Sequence, residues 1–125
     1  MEVYTNVLVG GVELDLVAVE SLPGRPVVYV VEVKSRPKSK LLNQVLNRLE
    51  VSDYVYAALP VRHYFYLLWV PEPVGSLAVD LENMVVYEIK KPKYVGNGGR
   101  LLEELRSRPL RGVRAVRTDT RIHRP

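Results

Sequence analysis

The chain has 125 residues, enough for one domain, and 47% of them are hydrophobic, enough to bury a core. It has no cysteine, which excludes disulfides and thiolate metal sites, and only His63 and His123 as imidazoles, too few for a histidine-based metal site. The net charge of +4 is unevenly placed: residues 1–105 hold 11 Lys+Arg against 13 Asp+Glu, whereas residues 106–125 hold seven Arg against one Asp.

Taken in chain order, Val3 to Val9 reads as a first strand and Gly10-Gly11 as a turn. A second strand runs from about Val12 to Glu20. The turn-rich segment Ser21 to Pro26 leads into a third, from about Val27 to Lys34. Arg36-Pro37 ends that strand, and the period then changes. Leu41, Leu42, Val45, Leu46 and Leu49 repeat at helical spacing, with Pro37 just ahead and Ser52-Asp53 closing the helix. Tyr54 to Leu59 is a fourth strand. A strand, helix, strand order implies a right-handed crossover and a parallel pair. Val61 to Val70 suggests a short helix, with Tyr64, Leu67 and Leu68 on one face. Ser76–Leu81 and Met84–Ile89 suggest a further hairpin turning at Glu82-Asn83. Gly96-Asn97-Gly98-Gly99 reads as a flexible break, Leu101–Leu105 as a short helix, and the last 15 or so residues as a mobile arm. The expected division is a domain over 1–105 and an arginine-rich arm over 106–125.

No stretch reaches the roughly 18 apolar residues of a membrane span. The first residues lack the basic and apolar segments of a signal peptide, so a soluble cytoplasmic protein is the expectation. Arg outnumbers Lys by 12 to 6, and there is one Gln, a balance compatible with a thermophilic source.

Two strands carry the chemistry. Side chains alternate along a strand, so Glu13 and Asp15 are expected on one face, and Glu32 and Lys34 on one face. Pairing the strands brings two carboxylates and an ammonium into one patch. Hard oxygen ligands of this kind suit Mg²⁺ or Mn²⁺. A divalent ion on Asp15 and Glu32, with Lys34 beside an attacking water, would neutralise a phosphodiester and activate the water. Glu13 could serve a second ion or a metal-bound water. Gln44, on the polar side of the helix, could reach the same cleft.

The segments Gly11-Val12-Glu13-Leu14-Asp15-Leu16-Val17-Ala18 and Val30-Val31-Glu32-Val33-Lys34-Ser35-Arg36 resemble the core motif of the PD-(D/E)XK nuclease superfamily, with the flavour of small Holliday-junction resolvase-like members. The resemblance covers about residues 3–60. It implies a restriction-endonuclease-like α/β fold: an antiparallel meander, a crossover helix and a parallel fourth strand, here with an extra hairpin and short helix. It also implies a Mg²⁺-dependent endonuclease acting on DNA, with structured or branched DNA as the expected substrate. Asp15, Glu32 and Lys34 fall on the motif positions, and Gln44 is the nearest match to the polar residue that the following helix often adds. Two features depart from the pattern. Many members begin with a helix carrying another acid, for which only Glu2 stands here, and Leu14 replaces the proline before the motif aspartate.

Other residues have two readings. Arg36, Lys38, Lys40, Arg106, Arg108, Arg111, Arg114, Arg117, Arg121 and Arg124 suit phosphate contact or a solvated surface. Lys90, Lys91 and Lys93 suit phosphate contact or protection of a sheet edge. Tyr54, Tyr56, Tyr64, Tyr66 and Trp69 suit packing in a core or interface, or stacking on bases. The alternatives to an endonuclease are a catalytically inactive DNA-binding module or accessory subunit of a larger assembly, and a structural protein whose acids form salt bridges. A homodimer is compatible with cutting two strands and with an uncovered meander face.

Overall fold

The computed structural model describes residues 1–107 and the strand at residues 114–117. A single mixed sheet organises them. Its strands are β1 (Glu2–Val9), β2 (Val12–Leu22), β3 (Arg25–Val33), β4 (Tyr54–Pro60), β5 (Gly75–Asp80), β6 (Val85–Lys90) and β7 (Arg114–Arg117), in the order β6-β5-β4-β3-β2-β1-β7. The helices are α1 (Ser39–Arg48), α2 (Tyr64–Leu68), which a 3₁₀ turn at Val61–His63 precedes, and α3 (Gly99–Ser107).

Turn chemistry sets the meander. β1 and β2 meet at Gly10 and Gly11, whose φ values of 57° and 78° suit a two-residue hairpin that needs the left-handed region at both positions. Between β2 and β3, Pro23 supplies a fixed φ and Gly24 a φ of 96°, the requirement of a type II turn. β3 then pairs parallel with β4 across α1, as a crossover demands. A second crossover, through the 3₁₀ turn and α2, sets β5 parallel to β4, and β6 returns antiparallel to β5.

The three helices share one face of the sheet. Leu41 and Val45 of α1 and Leu67 of α2 pack with Val55, Ala57 and Leu59. Leu101 of α3 packs with Val7, Leu14, Val17, Val19, Val28 and Val30. Val30 lies beside Val55 in the ladder, so the two clusters are halves of one layer. Each fully buried leucine or valine contributes roughly 1.5–3 kcal/mol. Val31, Tyr56, Ala58 and Leu77 form a smaller cluster on the other face.

Three expectations need correction. The meander face is not left open: α3 returns from the far end of the chain to cover it. The Gly96–Gly99 stretch is pinned. Asn97 N–H donates to the Ser52 carbonyl at 2.9 Å, Asn97 Nδ2 to the Leu49 carbonyl at 2.8 Å, and Gly98 N–H to Asp53 Oδ1 at 3.0 Å. Gly98 is required there, because a Cβ would stand 2.7 Å from Asp53 Oδ2 and 2.8 Å from Val28 Cβ. Lastly, the 105/106 boundary falls inside α3. Residues 114–117, expected in a mobile arm, form an edge strand antiparallel to β1, where Arg117 pairs with Glu2 and Arg114 with Thr5. The short Arg-Ala-Val-Arg segment had no legible period of its own, and β1 supplies the template.

Candidate functional site

Asp15 and Glu32 face each other one step beyond the end of a ladder. The last paired residues of β2 and β3 are Leu16 and Val31, and the next positions in that register are Asp15 and Glu32. The strands part here for a local reason. Leu14 packs with Val17 and Val19, although strict alternation would set it with Leu16 and Ala18. In β1, Tyr4 packs with Val7 and Val9, and Asn6 between them has a φ of 53°. The side-chain alternation therefore resets in both strands at one level, the level of Asn6 and Asp15. Asp15 Oδ2 accepts the Val33 N–H at 2.9 Å and closes the gap.

Glu32 is 2% exposed, on the last buried turn of a central strand. Arg48, in the last turn of α1, donates Nε–H to its Oε1 at 2.7 Å. Burial pushes the Glu32 carboxyl up to about 7; the Arg48 guanidinium opposes this, and the neighbouring Asp15 carboxylate adds to it. Desolvation outweighs the single ion pair, so the carboxyl is short of positive charge. Asp15 Oδ1 and Glu32 Oε2 are left with no N–H donor among the described residues.

Lys34 follows β3 directly, and its N–H donates to the Ala58 carbonyl at 3.1 Å, extending the strand geometry by one residue. Alternation brings its side chain out on the Glu32 side. Among the described residues no carboxylate lies within ion-pair distance of its ammonium. Gln44 stands one helical turn before Arg48, and its Oε1 is buried with no hydrogen-bond partner. Arg36, Lys38 and Lys40 are exposed on the loop and first turn that lead from β3 into α1. This is the carboxyl end of the parallel strands, where open α/β sheets bind ligands.

Glu13 does not join this group. It is exposed, and among the described residues no three His, Cys, Asp or Glu side chains gather to hold a metal. The rule that put Glu13 and Asp15 on one face fails because alternation resets between Leu14 and Val17. Arg106 is exposed at the end of α3. Arg114 and Arg117 lie on β7, while Arg108, Arg111, Arg121 and Arg124 fall outside the described residues.

Two participants escaped the sequence reading. Arg48 was legible in principle: a buried glutamate on a central strand needs a cation, and Arg48 lies four residues after Gln44. Arg62, whose Nη2 donates to the Ser35 carbonyl at 3.2 Å, carried no signal, because only the β3–β4 neighbourhood brings it to the Lys34 loop. Asp53, by contrast, is a structural carboxylate. It is buried and accepts the N–H groups of Val28 at 2.8 Å and Gly98 at 3.0 Å.

No protein-family model matches this chain, and no curated protein does. Among solved structures it is similar to the SPO1766 protein of unknown function from Silicibacter pomeroyi, with a TM-score of 0.54 and 15% identity over 83% of this chain and 78% of that one. That likeness concerns the α/β fold. No described helix is long and apolar enough to cross a membrane.

Proposed function

We propose that the chain is a metal-dependent DNA endonuclease of the PD-(D/E)XK type, with a restriction-endonuclease-like fold, acting on structured or branched DNA. The observation that carries this reading is the buried Glu32 carboxyl, raised to about 7 beside Asp15, at the mouth where Lys34 emerges. Two adjacent carboxyls, which share a hydrogen bond while Glu32 is protonated, fit a single hard cation such as Mg²⁺ or Mn²⁺ once that proton has left. Asp15 and Glu32 would hold it. When bound, such an ion neutralises charge at a phosphodiester and lowers the pKa of a coordinated water. The protein groups divide the remaining work. Lys34 donates to the developing negative charge or orients the attacking water. Gln44 Oε1 offers an acceptor for a water proton. Arg36, Lys38 and Lys40 draw the phosphate backbone toward a site whose own carboxylates repel it.

The test compares cleavage of branched and linear DNA, with Mg²⁺ or Mn²⁺, by the wild-type chain and by Lys34→Ala and Asp15→Ala. Each substitution is expected to lower the rate by about 10²-fold or more. Cleavage that survives both would remove the site.

Arg48 favours a second reading. Its guanidinium already neutralises part of the charge a metal would take. In a DNA-binding module without cleavage, Arg48 would be the resident cation of Glu32. The wild-type chain would then bind DNA with unchanged affinity whether or not Mn²⁺ is added, and Arg48→Met would gain Mn²⁺ affinity.

A further inference from the structure

The segment after β4 exposes an apolar and aromatic surface that the proposed chemistry does not use. Phe65 is 78% and Trp69 83% exposed, and Val61, Tyr64 and Leu68 beside them are also exposed. Phe65 and Trp69 are four residues apart along α2 and its C-cap, so their rings leave the same side of the helix. The Tyr64 ring stands edge-on to Phe65, with centroids 6.0 Å apart. Leu67, buried against Val55 and Val74, anchors the segment from beneath. The core therefore already has its share of this helix, and these rings are surplus to it.

The surroundings of the patch select its occupant. Arg62 begins the segment and bonds to Ser35, next to Lys34. Residues 59–70 contain one arginine, one histidine and no acid. Residues 33–49, the loop and helix on the other side of Arg62, contain Lys34, Arg36, Lys38, Lys40 and Arg48 and no acid. The nearest acid along the chain, Glu72, is three residues beyond Trp69 and already pairs with Lys93 at 2.8 Å, so exposed rings with unpaired cations on their Arg62 side, at the mouth of the proposed phosphodiester site, are complementary to a polyanion with uncovered aromatic faces. Unpaired nucleotides have both. Duplex DNA keeps its base faces stacked away.

We propose that Phe65 and Trp69 form a stacking platform for unpaired bases, so that single-stranded or splayed DNA crosses α2 as its backbone runs over Arg62 toward Lys34. Base stacking stands on the patch alone; only the statement that this strand is the one cut rests on the nuclease reading.

Trp69 is the sole tryptophan, so its emission reports the platform directly. The full chain is titrated with a thymidine oligonucleotide in EDTA, where no cleavage occurs. The oligonucleotide is expected to quench Trp69, and a duplex of the same length to quench it much less. By anisotropy of a labelled strand, Phe65→Ala and Trp69→Ala should each weaken single-strand binding by about 5- to 150-fold, the loss of one stacked base. Trp69→Phe should retain most of the affinity, and duplex affinity should change less than twofold in all three. Both side chains are exposed, and unchanged thermal melts verify that the variants fold. Three results would overturn the proposal: oligonucleotide binding that leaves Trp69 emission unmoved, single-strand affinity unaffected by Phe65→Ala, or an emission shift produced only by anionic phosphatidylserine vesicles or by self-association at high concentration. Quenching without metal-dependent cleavage would keep the platform and discard the nuclease.

Discussion

Arg48 reaches from the last turn of α1 to Glu32, Nε to Oε1 at 2.7 Å, and ties the crossover helix to the strand it follows. Both side chains are largely buried, at 12% and 2% exposure, so removing one strands the other away from water. Arg48→Met is therefore expected to cost about 3–5 kcal/mol where Glu32 is ionised, and less where it is protonated. Urea denaturation at several pH values measures this. A loss that is the same at every pH would mean that packing of the arginine stem, rather than its charge, holds the helix in place.

Glu32 itself sets a pH dependence of the opposite sense to an ordinary ion-paired carboxylate. Its carboxyl is raised from 4.5 to about 7 in the folded chain, first by burial and then by Asp15. Below pH 4.5 both states are protonated, and the group contributes nothing. Between pH 4.5 and about 7 the unfolded chain gives up the proton while the native chain keeps it, so stability falls as pH rises. Above about pH 7 the loss is complete, up to roughly 3 kcal/mol for a shift of 7 − 4.5 = 2.5 units. Glu32→Gln should flatten this part of the profile. On the nuclease reading, a divalent cation added above pH 7 should raise the melting temperature of the wild-type chain and leave that of Glu32→Gln unchanged. A Glu32→Gln profile that runs parallel to the wild-type one between pH 4.5 and 7 would refute the assignment.

Asp53 and Gly98 make a purely structural pair. The carboxylate accepts N–H groups from β3 and from the segment before α3, and the glycine leaves it room. Asp53→Ala leaves two buried N–H groups unsatisfied and should cost about 2–5 kcal/mol. Gly98→Ala forces its new Cβ against the carboxylate and Val28 and should be comparably harmful. On the nuclease reading, neither should alter DNA affinity at temperatures where the variants are folded. Native-state hydrogen exchange at Val28 and Gly98 reads the effect.

Much of the fold was legible because local signals agreed. Gly10-Gly11 and Pro23-Gly24 specified their turns. The switch from period two to helical spacing after Pro37 specified α1, and the crossover rule then made β3 and β4 parallel. What escaped depends on the third dimension. Asp15 and Glu32 could be paired from the hairpin, but the reset of alternation at Asn6 could not be foreseen, and it is the reset that separates Glu13 from Asp15. The Gly96–Gly99 stretch looks flexible in sequence because its restraint, Asp53, lies more than 40 residues away. β7 gains its strand character from β1, and α3 covers a face that the order of elements left open.

On the nuclease reading, the cationic mouth separates attraction from chemistry. Arg36, Lys38 and Lys40 are exposed beside Lys34, and each phosphate they neutralise releases counterions. Replacing all three by alanine should lower the slope of log affinity against log salt by up to about 0.9 per lost duplex contact, with little change in sequence preference. Under single-turnover conditions with saturating protein, the cleavage rate of this variant should return to near the wild-type value, because the reacting groups are intact. Lys34→Ala should behave in the reverse way: near-normal affinity and salt slope, with the bound rate reduced. If the triple variant instead loses the bound rate while keeping the salt slope, these side chains act in the chemistry, and the division between a phosphate-drawing rim and a reacting centre at Asp15, Glu32 and Lys34 is wrong.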